Sequence, residues 1–145
     1  MVREAYPRPA PRPRTRSGAG RVYALGVADD VTIWHNPRCS KSRGALELLA
    51  ERGISPGVVR YLDEAPARAE LEDVLRRLGT DDPRAITRTG EGLYRELGLA
   101  DADRDGLLDA LAAHPVLIER PIVLSGERAV VARPPERVLD LLEGA

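Results

Sequence analysis

One cysteine, Cys39, and one lysine, Lys41, are all that this chain of 145 residues holds of either type. A single thiol excludes an internal disulfide framework and any zinc site built from several thiolates. It suits a reducing, cytoplasmic compartment. Long apolar runs are also lacking: none approaches the roughly 20 residues that a membrane span needs, and the N-terminus shows no apolar core of a secretory signal. Neither sign of charge prevails, the formal net charge being -1, so bulk electrostatics favour neither nucleic acid nor an anionic membrane as partner. Internal repeats are absent. What is present is enough chain for one domain with a real core, and positive charge carried almost wholly by arginine.

Residues 1–20, MVREAYPRPAPRPRTRSGAG, are rich in proline and arginine and have no hydrophobic period. Proline removes backbone donors and fixes φ, so residues 1–30 are expected to form a disordered tail and connector. The folded domain is expected over residues 31–145.

From Val31 the pattern sharpens. VTIW reads as a short strand that stops at the His35-Asn36-Pro37 turn. The stripe Ala45, Leu46, Leu48, Leu49 and Ala50 predicts a helix that Gly53 ends. VVRYL, 58–62, predicts a second strand. Leu71, Val74, Leu75 and Leu78 predict a helix over Ala67 to Leu78, closed by Gly79. Short helical pieces are expected around 83–88, 92–97 and 104–113. Strands are expected over 122–125 and 129–132, with a last helix opened by Pro134-Pro135. The order β-α-β, helical block, β-β-α predicts an α/β fold: a four-stranded mixed sheet with flanking helices, the thioredoxin or glutaredoxin arrangement.

Cys39 then falls in the loop from the first strand into the first helix. First-turn amides without intrahelical acceptors, together with the helix dipole, stabilise a thiolate there. Arg38, Lys41 and Arg43 can add positive charge, and Ser40 and Ser42 offer hydroxyls. The plainer reading, a buried inert thiol, fits poorly with a polar turn. The spacing excludes a phosphatase-type anion loop, because Arg43 follows the cysteine by four positions rather than six. Ser42 stands where a dithiol reductase would carry its second cysteine, so turnover would need an outside thiol.

HNPRCSKSR, LIERPIV and ARPPERVLDLL, in this order, resemble the glutaredoxin- or glutathione-dependent arsenate reductase (ArsC) family, over about Thr32 to Leu142. CSKS marks a subgroup in which Ser40-Lys41 replaces the small Gly-Thr pair of its best-characterised members. The resemblance implies a thioredoxin-like fold with a helical insertion at about 67–113. By position it makes Cys39 the nucleophile and Arg88, Arg120 and Arg133 the oxyanion-binding arginines. His35 and Ser42 would tune or orient the thiolate, with Arg43 in support, and Arg120-Pro121 would carry a cis bond. It implies reduction of arsenate to arsenite through a covalent Cys39 adduct. No cofactor or metal would be bound. An external thiol such as glutathione would be co-substrate and glutaredoxin the partner, with the enzyme acting as a monomer.

Taken alone, each arginine of so arginine-rich a chain is as readily a solvated surface residue, and His114 reads as structural. Two other functions compete: a monothiol glutaredoxin-like reductase of capped protein thiols, and a redox regulator binding RNA polymerase as the related Spx family does. Three guanidinium groups around the sulfur favour arsenate over the first. Ser42 in place of a second cysteine disfavours the second.

Overall fold

The computed structural model describes residues 31–143; the expected tail and connector lie outside the described residues. Four strands form one mixed sheet: β1 (Val31–Trp34), β2 (Gly57–Val59), β3 (Ile122–Ser125) and β4 (Arg128–Val131). Their spatial order is β2-β1-β3-β4. β1 runs parallel to β2 and antiparallel to β3, and β3 pairs antiparallel with β4. The four-stranded mixed sheet and helices are thus those expected.

Alternation along β1 and β3 divides the core between the two sheet faces, because successive side chains of a strand point opposite ways. Ile33 pairs in register with Val123 and Trp34 with Ile122. Val31, Ile33 and Val123 pack with Ala45 and Leu49 of α1 (Ser40–Glu51) and with Val138 and Leu141 of α5 (Arg137–Glu143). Trp34, Ile122 and Leu124 pack with Leu71 and Leu75 of α2 (Arg68–Leu78), and with Leu107 and Leu111 of α4 (Arg104–Ala113). These four leucines are almost wholly buried, each contributing about 1.5–3 kcal/mol of transfer free energy. α1 lies so near the segment leading into α5 that a Cβ at Gly44 would meet Pro135 at 3.1 Å.

The helical block between β2 and β3 consists of α2, a 3-10 turn (Pro83–Ile86), α3 (Gly92–Glu96), a 3-10 turn (Leu99–Asp101), α4 and a 3-10 turn (Pro115–Leu117). α2 starts at Ala67, whose N–H donates to Glu70 Oε1 at 2.7 Å. That is half of a capping box, since alanine has no oxygen to return the bond. Its end is Gly79 at φ 82°, left-handed backbone that only glycine adopts cheaply.

β2 is shorter than the expected 58–62. β1 turns away at Asn36-Pro37, leaving nothing for Arg60 to Leu62 to pair with. The N–H groups of Asp63 and Glu64 instead close onto Arg60 O, both at 2.9 Å, and Tyr61 turns into the core. β4 begins one residue earlier than expected, at Arg128. α5 starts at Arg137, after a turn in which Arg137 N–H donates to Pro134 O at 3.0 Å. Among the described residues no helix is long and apolar enough to cross a membrane.

Candidate active site

The loop after β1 is built by its own hydrogen bonds. His35 N–H gives the last ladder bond, to Val59 O at 2.8 Å. Asn36 then closes an Asx turn, its Oδ1 accepting from Arg38 N–H at 3.0 Å. Cys39 N–H donates to Asn36 O at 3.0 Å. Pro37, which has no N–H to satisfy, occupies the turn. Cys39 is therefore the N-cap of α1, in extended backbone at φ -94° and ψ 122°.

A cysteine at an N-cap faces the unpaired amides of the first turn. Burial pushes the partly exposed Cys39 thiol up, but the Ser42 and Lys41 amides and the charges of Arg120 and Arg133 together pull it below its ordinary value. The neutral thiol closes no cap hydrogen bond, so the amides act on the charged form, which is the form that reacts. Lys41 contributes through its backbone. Arg43 turns back, donating from Nη1 to Pro37 O at 2.9 Å and so fastening the loop.

Ser42 sits beneath this turn, fully buried. Its Oγ accepts from Asn36 N–H at 3.0 Å and lies 2.6 Å from His35 Nδ1. Burial, then the charges of Arg60 and Arg43, lower the His35 pKa. The ring is thus neutral near pH 7 and shares a hydrogen bond with the Ser42 hydroxyl, in which the tautomer decides which of the two donates.

Arg120 and Arg133 come from the two ends of the β3–β4 hairpin. The Arg120–Pro121 peptide is cis, and so is Arg133–Pro134, which the sequence does not foretell. Arg133 Nη1 donates to Arg120 O at 3.1 Å, tying the two together. Arg88 lies further round: its N–H donates to Leu117 O at 2.7 Å, its Nη1 to Val116 O at 3.2 Å, and its Nη2 pairs with Glu91 at 3.0 Å.

Tyr61 joins the set unannounced by the sequence. Its ring is buried. Desolvation pushes its hydroxyl up to about 12 even though the charges of Arg120 and Arg88 oppose the rise. It stays a neutral phenol beside Cys39, whose charge also acts on it. Glu119 is the other residue that sequence reading missed; its Oε1 faces both Arg120 and Arg133. In sum, the fold gathers Cys39, His35, Ser42, Arg120 and Arg133 at one end of the sheet; the charge of Arg88 acts on Tyr61, while its guanidinium holds Val116 O and Glu91.

Comparison with known proteins places this geometry in a family. Residues 34–141 match the model of the ArsC family. An arsenate reductase of Neisseria meningitidis is 51% identical over 111 residues, covering 75% of this chain and 95% of that protein. One of Haemophilus influenzae is 45% identical over 114 residues, covering 77% and 98%. A solved structure, an arsenate reductase from Vibrio cholerae, superposes with a TM-score of 0.74 at 48% identity, covering 76% of this chain and 95% of that one. The chain belongs to the ArsC family.

Proposed function

We propose, from membership of that family, that this protein is an oxidoreductase that reduces arsenate to arsenite, with Cys39 as nucleophile and Arg88, Arg120 and Arg133 binding the oxyanion. One observation carries the reading: a thiol at a helix N-cap whose pKa is held down by amides and by two arginines on a neighbouring hairpin. A guanidinium offers paired, charge-assisted donors that match the oxygens of a tetrahedral anion. The same positive charge offsets the repulsion between dianion and thiolate.

The chemistry balances as follows. Cys39 Sγ forms a bond to arsenic while one oxygen leaves as water with two protons. An external thiol such as glutathione adds to arsenic with loss of a second water. A further thiol, that of glutaredoxin or an equivalent, attacks the sulfur of the first. The two leave as a disulfide, and their electron pair takes arsenic from the +5 to the +3 state. Hydrolysis of the remaining S–As bond releases arsenite and restores the Cys39 thiol. With Ser42 at the third position after Cys39, no internal thiol can do this. Neutral His35 and Ser42 brace the loop, with Arg43 clamping it and Pro121 shaping the approach of Arg120. No cofactor or metal is needed.

Residues 31–145 constitute the working domain in this reading, with 67–113 as a helical insertion, acting as a cytoplasmic monomer. The protein with arsenate, glutathione, glutaredoxin and glutathione reductase should oxidise NADPH in a coupled assay, and Cys39→Ser should abolish the signal. Absence of arsenate-dependent turnover with every physiological thiol system would defeat the reading. Turnover of glutathionylated protein thiols instead would point to the monothiol reductase.

A further inference from the structure

Every arginine proposed to hold the oxyanion already faces a carboxylate. Arg88 meets Glu91 at 3.0 Å. Arg120 Nη1 and Arg133 Nε both face a single atom, Glu119 Oε1, at 3.5 and 3.8 Å. The positive charge that a dianion meets at these arginines is therefore already partly offset by the two carboxylates.

The two glutamates are not held alike. The Glu91 contact is close and joins residues three apart. The Glu119 contacts lie beyond the 2.7–2.9 Å of a well-made charge-assisted bond, so the attraction is electrostatic and loosely held. Its backbone is fixed, since Glu119 N–H donates to Ile86 O at 2.8 Å. Its side chain is 27% exposed and has a route to water. Arg133, meanwhile, is anchored through Nη1 to Arg120 O, which turns its Nε towards the glutamate. The two guanidinium groups are thus kept side by side by an acceptor that a better one can replace.

We propose that the Glu119 carboxylate is the resident anion of the oxyanion site, occupying Arg120 and Arg133 until a tetrahedral dianion displaces it. Glu119 is then a positioning residue that sets anion affinity by acting through the arginines. It keeps them aligned in the empty site and raises the affinity that an incoming anion must reach. This rests on the reading that Arg120 and Arg133 bind the oxyanion.

Protection of Cys39 from iodoacetamide by arsenate or inorganic phosphate measures anion occupancy without any turnover. In E119Q, the half-protecting concentration of both anions should fall roughly fivefold, the scale of a partly exposed ion pair removed from competition. E119D, which keeps the charge, should stay within about twofold of wild type. In the coupled assay the change should appear in KM for arsenate rather than in kcat, with phosphate a correspondingly stronger competitor. Unchanged or weaker protection in E119Q overturns the proposal, weaker protection meaning that the carboxylate only braces the arginines. If neither anion protects Cys39 in wild type or variant, the oxyanion reading falls and this one with it. Equal protection in both proteins leaves that reading standing and removes this one alone.

Discussion

The arginines of the helical block and those at the two ends of the β3–β4 hairpin carry the same charge, but their donors are spent very differently. Arg68 on α2 is gripped by Glu72 on its own helix and by Asp105 and Asp109 of α4. Arg84 gives Nη2 to three carbonyls, Leu99, Ala100 and Ala102, at 2.9 to 3.2 Å, and Nε to the Tyr94 hydroxyl. Arg104 holds both the carbonyl and the carboxylate of Asp81 at 3.0 Å. These guanidinium groups fasten chain to chain. Arg120, by contrast, has one contact among the described residues, at 3.5 Å, although its side chain is only 18% exposed. Arg133 has one backbone acceptor and the distant Glu119. A half-buried guanidinium with unspent donors beside a low-pKa thiol is placed to take a ligand. Donor accounting separates Arg120 and Arg133 from the fastened group where charge cannot, whereas Arg88, which holds Val116 O and Glu91, sides with the fastened arginines and would have to release Glu91 to bind an oxyanion.

The comparison breaks or holds on a pair of alanine substitutions. Arg120→Ala should lower arsenate turnover by about 100-fold or more, the usual cost of losing a donor aimed at developing charge, while moving the urea midpoint little. Arg84→Ala should do the reverse. It strips the donor from three carbonyls and should cost about 2 kcal/mol of stability, with turnover per folded molecule near wild type. Equilibrium unfolding beside the coupled assay reads both. If Arg84→Ala lost turnover while staying stable, the division between fastening and ligand-ready arginines would be wrong.

Much of this arrangement is legible in the sequence, and the exceptions have physical causes. VTIW followed by Asn36-Pro37 and an amphipathic stripe puts Cys39 at a helix N-terminus by local rules alone, and the parallel crossover with its hairpin follows from element order. Direction in space does not follow from closeness in sequence. Arg43, four residues from Cys39, points to Pro37 O, whereas the charges that hold the thiol down come from residues 120 and 133. Tyr61 is hidden because VVRYL looks like a strand to its end, and only the loss of a pairing partner beyond His35 sends that ring inward. Glu119 is one of 23 acidic residues. Nothing local marks it, since its meaning comes from two guanidinium groups brought together by the hairpin.

A smaller effect tests the electrostatic side of the same contrast. Because Cys39 is held below its ordinary value, its alkylation by iodoacetamide should remain fast well below pH 8.5, about where a free thiol titrates. The double variant R120A/R133A should move the midpoint upward and slow alkylation severalfold near neutral pH, burial then being opposed by the amides alone. R68A should leave the midpoint where it is. A wild-type profile that tracks an ordinary thiol would remove the activated thiolate.

The smallest effect concerns His35, where a fastened arginine acts on the loop rather than on the substrate. Burial is the main cause of its lowered pKa, with Arg60 and Arg43 adding to it. In the unfolded chain the ring regains an ordinary value near 6.5, so below that pH the unfolded state binds the extra proton and the folded state resists it. Stability from this group is therefore complete above about pH 6.5 and declines as pH falls towards the folded-state value. Urea midpoints between pH 7.5 and 5 should show that decline, and His35→Gln should flatten part of it. The same variant should lose about 1 kcal/mol at pH 7.5 through the missing Ser42 bond. Arg43→Gln should shallow the slope without abolishing it, because burial outweighs either arginine. A slope erased by Arg43→Gln would mean that charge, and not desolvation, keeps His35 neutral.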